Sequence, residues 1–144
     1  MRIFYQYSKL KLFLLFFIAS LLLISCEKNN DIIPYVPVNI YISIDPDLAN
    51  LGVGGSAVYT GGLNGILIYR KSVYEFAAYE RTCTYRPSDN CAIEIDETGL
   101  IPECPCCGSK FILTNEGSVL EEPAVFPLKQ YQTTVTGNIL HIHN

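Results

Sequence analysis

Hydrophobic and polar residues alternate in short segments from residue 38 onward, and this pattern predicts β-strands. In residues 38–44 every second side chain is valine or isoleucine, so one face of the strand is apolar and the other is polar. Other segments alternate in the same way or form short apolar runs typical of buried strands. They are residues 66–70, 74–79, 92–96, 110–113, 118–120, 131–135 and 139–142.

The predicted strands are short, and glycine, proline and asparagine recur between them. Residues 66–70 and 74–79 are close enough to pair as a hairpin, and Gly137 and Asn138 suit a tight turn between the last two segments. No segment after residue 38 carries a helical stripe of useful length. We therefore expect an all-β fold, a small β-sandwich or barrel of antiparallel strands.

The first 25 residues have a different pattern. Arg2, Lys9 and Lys11 form a positive region, and residues 12–24 are apolar except for Ser20. At ~1.5 Å per residue this run would span about 20 Å as a helix, less than the ~30 Å hydrocarbon core of a membrane. That length is typical of the hydrophobic region of a signal peptide.

The apolar run ends in Leu23-Ile24-Ser25-Cys26, which resembles a bacterial lipobox. The resemblance implies cleavage before Cys26 and a diacylglycerol on its thiol; an ordinary signal peptide or an uncleaved anchor are the alternatives. We expect residues 1–25 to be a lipoprotein signal peptide, residues 26–37 a lipidated tether and residues 38–144 the domain. The domain would then be exported and lipid-anchored to a membrane of a bacterial cell envelope, facing the periplasm or the outer surface.

The charge of the chain excludes one class of partner. Residues 26–144 keep all 14 acidic side chains but lose Arg2, Lys9 and Lys11 from the 10 basic ones, which leaves 7 and a formal charge of −7. An acidic chain without a basic stripe is unsuited to nucleic acid. The sequence also contains no Ser/His/Asp arrangement and no phosphate-binding loop, so it offers no catalytic constellation and we do not expect an enzyme.

Cysteine is the residue type that carries candidate chemistry. Besides Cys26 there are five cysteines, an odd number, so disulfides alone leave one thiol unpaired. Three of them, Cys104, Cys106 and Cys107, fall within four residues, next to a proline and a glycine that favour a tight loop. Such a loop can hold a metal ion, a metal–sulfur cluster or a disulfide.

The second cysteine loop resembles the second conserved box of Rieske domains, Cys-Pro-Cys-His-Gly-Ser-x-Phe. It matches that box at every specified position but one, as Cys104-Pro105-Cys106-Cys107-Gly108-Ser109-Lys110-Phe111. The first cysteine loop, residues 83–91, precedes it by a hairpin-sized stretch, and residues 122–131 resemble the proline passage that follows the site in this family. The resemblance covers roughly residues 38–143 and implies a Rieske-like fold with two cysteine-bearing loops at one end.

The resemblance also implies a [2Fe-2S] cluster and electron transfer with a redox partner. Cys83 and Cys104 stand where the family's cysteine ligands stand, and Tyr85 and Cys107 stand where its two histidine ligands stand. Where a disulfide joins the loops in some members, Cys106 and, allowing an insertion, Cys91 occupy its positions. Thiolate in place of imidazole would add negative charge and lower the reduction potential.

Two other chemistries suit the same thiols. Cys91 can take the place of Tyr85, which gives a four-cysteine site for iron or zinc made of Cys83, Cys91, Cys104 and Cys107. Zinc is considered because Cys104 and Cys107 have the spacing of zinc ligands. Alternatively the domain has no cofactor, and Cys91–Cys106 plus a bridge from Cys83 to Cys104 or Cys107 hold a structural or partner-binding module together. Histidines at 141 and 143 fall on one face of the last strand, where we interpret them as solvent-facing.

Overall fold

A computed structural model describes residues 32–96 and 98–144 of the chain. The expected signal peptide and the candidate lipidation site Cys26 lie outside the described residues. Within them, no helix has the length and apolar composition needed to cross a bilayer. Ten strands are present in this part of the chain. They are β1 (Asn39–Ser43), β2 (Ser56–Tyr59), β3 (Ile66–Arg70), β4 (Phe76–Glu80), β5 (Glu94–Ile95), β6 (Pro102–Glu103), β7 (Lys110–Ile112), β8 (Ser118–Glu121), β9 (Gln130–Thr136) and β10 (Ile139–His143).

The strands form two antiparallel sheets, which confirms the all-β fold class. One sheet has six strands in the order β1-β10-β9-β4-β3-β2, and the other has four in the order β5-β6-β7-β8. The helical elements of the described residues are two single turns of 3₁₀ helix, Pro87–Asp89 and Leu113–Asn115. The four strands of the small sheet follow one another along the chain, and both cysteine loops adjoin this sheet.

The β3–β4 hairpin lies at the centre of the domain and is buried on both faces. All five residues of β4 and the first four of β3 are buried, which explains why these segments read as continuous apolar runs rather than as an alternation. Leu67 and Tyr79 face a cluster that includes the buried cysteines, whereas Ile68 and Ala78 face a second cluster. The second cluster is completed by apolar residues of β1, β9 and β10.

The hairpin is shorter than its apolar pattern predicts. Residues 74–79 were expected to be extended, but β4 begins at Phe76, and the turn leaves Val73 and Tyr74 53% and 71% exposed. The Arg70 guanidinium closes the turn by donating hydrogen bonds to the main-chain oxygens of Ser72 and Val73. The backbone N–H groups of Lys71 and Ser72 also donate to the Glu75 main-chain oxygen, so Val73 and Tyr74 lie in a turn rather than in a strand.

Glu80, the last residue of β4, is 1% exposed and is surrounded by hydrogen-bond donors. Its carboxylate accepts hydrogen bonds from the backbone and hydroxyl of Thr82, from the Tyr131 hydroxyl and from the backbone of Leu63 and Asn64. Burial alone would raise the pKa of this carboxyl group, but the hydrogen bonds outweigh burial and lower it. Glu80 thus ties the glycine-rich loop and β9 to the strand that leads into the first cysteine loop.

Gly62 belongs to the same arrangement. Its φ of +61° lies in the left-handed region, and a Cβ at this position would collide with the Glu80 carboxylate and the Tyr131 hydroxyl. Glycine is therefore required where this loop passes over the buried carboxylate.

We predict that Glu80→Gln lowers the free energy of unfolding by about 1–3 kcal/mol at pH 7, because an amide NH₂ would face donors in the buried site. Because folding lowers the pKa from its ordinary value of 4.5, the carboxylate stabilises the fold above that pH, and the contribution is lost as the pH falls through the lower folded value. Urea unfolding at several pH values measures this, with exposed Glu75→Gln as the control. If the difference in unfolding free energy between Glu80→Gln and wild type stayed the same from pH 7 down to pH 3, this prediction would be wrong.

Candidate metal centre

The first cysteine loop is closed at its base by backbone hydrogen bonds. Thr82 bridges Ala92, and the Cys83 N–H donates to the Cys91 oxygen at 2.9 Å. Between these positions a 3₁₀ turn over Pro87–Asp89 ends at Asn90, whose φ of 54° turns the chain back. The loop therefore brings its two cysteines, eight positions apart in sequence, next to each other.

The second cysteine loop is a tight turn between β6 and β7. The Cys104 N–H donates to the main-chain oxygen of Ser109, and the Gly108 N–H donates to the main-chain oxygen of Cys104, each at 2.8 Å. Gly108 has a φ of +77°, which a residue with a side chain rarely adopts. The turn places Cys104, Cys106 and Cys107 around one short stretch of backbone, as the spacing of these residues predicts.

A disulfide between Cys91 and Cys106 joins the two loops. This is the pairing that the Rieske resemblance implies. In this form Cys91 has no thiolate to offer a metal, so a four-cysteine site that includes Cys91 requires the disulfide to be reduced.

The three other cysteines of the described residues are free thiols that lie side by side. The sulfur atoms of Cys83, Cys104 and Cys107 all lie within 4.8 Å of one another, and those of Cys83 and Cys107 are 3.6 Å apart. Cys83 and Cys104 are buried, whereas Cys107 is half-buried. They line an open pocket of about 290 Å³, together with the disulfide and with Tyr85, Arg86, Asp89 and Pro123.

The surroundings of these thiols have opposite effects on two of them. Burial, with hydrogen bonding to Cys104 and Cys107, raises the pKa of the Cys83 thiol to about 12. Burial also acts to raise the pKa of Cys107, but hydrogen bonds, the largest from the side chain and backbone of Ser109, outweigh it and lower that pKa. A nearby positive charge, such as a metal ion, would favour the thiolate form of Cys83.

Ser109 connects the thiols to a third segment, the proline passage. Its buried Oγ accepts a hydrogen bond from the Ala124 N–H at 2.9 Å, which leaves the hydroxyl proton available to the Cys107 sulfur at 3.1 Å. The Thr84 hydroxyl likewise donates to the Phe126 oxygen at 2.7 Å. The resemblance identified this passage, but neither hydrogen bond can be deduced from the sequence, because the partners are 15 and 42 positions apart.

Tyr85 lies at the rim of the pocket and is 39% exposed. The guanidinium of Arg86 sits 4.9 Å from the centre of its ring and is 3.4 Å from its hydroxyl. Sequence analysis did not identify Arg86, Asp89 or Pro123 as part of the site. The metal-binding side chains around the pocket are therefore three thiols, one phenol and the Asp89 carboxylate, and the three adjacent thiols fit a thiolate-rich metal or iron–sulfur site.

Comparison with known proteins identifies the fold. No family model matches the sequence, and no curated protein matches it. Among solved structures, the plasma membrane Rieske protein PetC3 from the cyanobacterium Synechocystis PCC 6803 aligns with a TM-score of 0.57 and 24% identity, over 73% of this chain and 99% of that chain. The ferredoxin of carbazole 1,9a-dioxygenase from Nocardioides aromaticivorans IC177 aligns with a TM-score of 0.51 and 18% identity, over 76% and 98%.

A third solved structure is a complex of reduced oxygenase and oxidized ferredoxin in carbazole 1,9a-dioxygenase. It aligns with a TM-score of 0.51 and 21% identity, over 72% of this chain and 93% of that chain. The three alignments show that the fold of this chain is Rieske-like, as the resemblance of the cysteine loops predicts.

We predict that replacing both disulfide cysteines, Cys91→Ala with Cys106→Ala, lowers the free energy of unfolding by about 3 kcal/mol. The bridge closes a loop with a sequence separation of 15, and in the chain-entropy model a loop of this size has about that effect on the unfolded state. Denaturant unfolding measures the loss. Chemical reduction should destabilise the wild-type protein comparably and leave the double variant unchanged, so equal stability of oxidised wild type and double variant would refute the assignment.

Proposed function

We propose that this protein transfers electrons through a [2Fe-2S] cluster held between the two cysteine loops. The observation that carries the proposal is the set of three free thiols whose sulfur atoms lie within 4.8 Å of one another in a Rieske-like domain, while the other two loop cysteines form a disulfide. Cys83 and Cys104 would hold one iron, and Cys107 with Tyr85 would hold the other. The bound cluster supplies a site that gains and loses one electron.

The chain contributes ligands, shielding and charge control to this centre. Buried Cys83 and Cys104 are kept from water, and Arg86 places a cation beside the Tyr85 hydroxyl at the pocket mouth. Ser109 donates to the Cys107 sulfur and so stabilises negative charge there. Because thiolate and phenolate are anionic where imidazole is neutral, the potential should lie nearer the ~−400 mV of plant-type ferredoxins than the range of histidine-ligated Rieske centres.

A second candidate function is a partner-binding module without a cofactor. It is favoured by the 3.6 Å contact between the Cys83 and Cys107 sulfurs, since a small shift would let them form a second disulfide. The exposure of Tyr85 also suits a surface residue better than a buried ligand. Zinc bound by the same three thiols is a third, lesser alternative.

The test is the iron, acid-labile sulfide and zinc content of the purified protein. One preparation would be made by export and another in reducing, iron-replete conditions. We expect about two irons and two sulfides per chain, as a [2Fe-2S] centre requires. Cys83→Ser, Cys104→Ser and Cys107→Ser should each lose most of both, because each removes a proposed ligand.

The double variant without the Cys91–Cys106 disulfide is the matched control, and it should keep iron and sulfide because it retains the proposed ligands. Wild-type protein that lacks both elements in both preparations would overturn the proposal. A Cys83–Cys107 disulfide in that protein would support the second candidate, and about one zinc per chain would support the third.

We further propose that the domain is exported and anchored to a membrane through a lipid on Cys26, with residues 26–37 as its tether. The support is the lipobox-like sequence before Cys26. A protein redox partner would meet the face that carries the pocket, in the manner of a ferredoxin that binds an oxygenase.

Replacing the lipidation residue, Cys26→Ser, should move the protein from the membrane fraction to the soluble fraction or leave an uncleaved precursor. Membrane fractionation with mass spectrometry of the N-terminal peptide measures both. An unmodified Cys26 in the wild-type membrane fraction would refute lipid anchoring without bearing on the cluster.

A further inference from the structure

The outward face of the six-stranded sheet carries two histidines and a tyrosine in a continuous ring stack. Tyr41 of β1 is the register partner of His141 in β10, and their rings are 4.2 Å apart with an angle of 2° between their planes. The ring of His143 lies 4.5 Å from that of His141 at an angle of 30°. The alternate residues of the strand, Leu140 and Ile142, are fully buried in the core, so the histidines lie on the opposite, solvent-facing side of β10.

Hydrogen bonds indicate which nitrogen of each histidine carries a lone pair. Nε2 of His141 is 2.7 Å from Oδ1 of Asn39, and because this oxygen can only accept, Nε2 bears the proton and Nδ1 the lone pair. Nδ1 of His143 is 3.4 Å from the main-chain oxygen of Asn144, which in the same way leaves the lone pair on Nε2. This is how metal-binding histidines are usually held, with one ring nitrogen donating to an oxygen and the other free to bind.

We propose that His141 and His143 form a binding site for a borderline divalent transition-metal ion, separate from the cysteine pocket. Two metal–nitrogen bonds of ~2.0–2.1 Å can bridge nitrogens up to about 4 Å apart, and ring centres 4.5 Å apart show that the two side chains are close enough to serve one ion. The rings are stacked at 30°, so their in-plane lone pairs do not meet at one ion as the rings stand. His143 lies at the end of the stack, and it would rotate away from His141 to bring its free nitrogen to the same ion. Imidazole suits Ni²⁺, Cu²⁺ and Zn²⁺, and water would fill the remaining positions.

The side chains next to the two histidines carry no positive charge that would repel a cation. In β1 and β9, the residues paired with the two histidines have uncharged side chains on the same face. They are Asn39, Tyr41, Gln132 and Thr134. Tyr41 stacks on His141 and limits its rotation, and none of the residues that line the cysteine pocket lies in β1 or β10. A metal ion bound here would therefore share no ligand with the cysteine centre.

The test uses Ni²⁺ as the probe and purified protein without a polyhistidine tag. Wild type should bind about one Ni²⁺ per chain saturably at this site, by calorimetric titration. His141→Asn and His143→Asn should each weaken that binding at least about tenfold, because either change removes one of two chelating donors. Gln132→Ala and Thr134→Ala on the same face are the matched controls and should bind as wild type does.

All of these variants keep the same cysteines, so differences between them report on the histidines alone. Amide NMR signals of residues 139–144 should shift or broaden on Ni²⁺ addition before those of the cysteine loops. Both histidines are on the surface, so their replacement should leave the melting temperature nearly unchanged. His141→Gln and His143→Gln provide a second set of variants for the same measurement. Equal affinity of wild type and the single-histidine variants, or Ni²⁺ effects confined to the cysteine loops, would overturn the proposal.

Discussion

The packing of three free thiols side by side, two of them buried, is the constraint on which the arrangement of this domain depends. A thiol in apolar surroundings resists ionisation, as the raised pKa of Cys83 shows. The loops that carry these thiols are short turns, and each needs support from outside itself. A disulfide joins one loop to the other, and Ser109 and Thr84 join them to the proline passage. The result is a pocket in which a positive ion would offset the cost of charged sulfur.

The large sheet packs against the cluster that contains the cysteines and so supports this pocket. The β3–β4 hairpin is buried on both faces, so one face packs on the cluster that contains the cysteines and the other on the core closed by β1, β9 and β10. The Glu80 carboxylate, three residues before Cys83, anchors the end of β4 through hydrogen bonds to a neighbouring loop and to β9. Rigid support of this kind fits a site that must hold several sulfurs at fixed positions.

Much of the fold could be predicted from sequence because burial on one face leaves a period of two. The pattern in residues 38–44 and 139–142 predicted β1 and β10 for that reason. The predicted start of β4 was wrong because hydrogen bonds of the Arg70 side chain and of the backbone at Glu75 form a turn at Val73 and Tyr74. A pattern of hydrophobicity contains no information about such a hydrogen bond.

The site was predicted less completely. Five cysteines permit many pairings, so the Cys91–Cys106 bridge came from resemblance to a family rather than from spacing. The proximity of Cys83 to Cys107, and the contacts of Ser109, depend on how separate loops pack together. The stack of Tyr41 on His141 similarly depends on pairing between the first and last strands, which are about 100 positions apart.

The most direct test of a cluster held without histidine is electron paramagnetic resonance of the chemically reduced, iron-replete protein, with electron spin-echo measurement of nitrogen couplings. The account predicts the signal of a reduced [2Fe-2S] centre without the strong nitrogen couplings of imidazole ligands, because cysteine and tyrosine occupy the ligand positions. No such signal from protein that retains its three free thiols, or a signal with strong imidazole couplings, would contradict it.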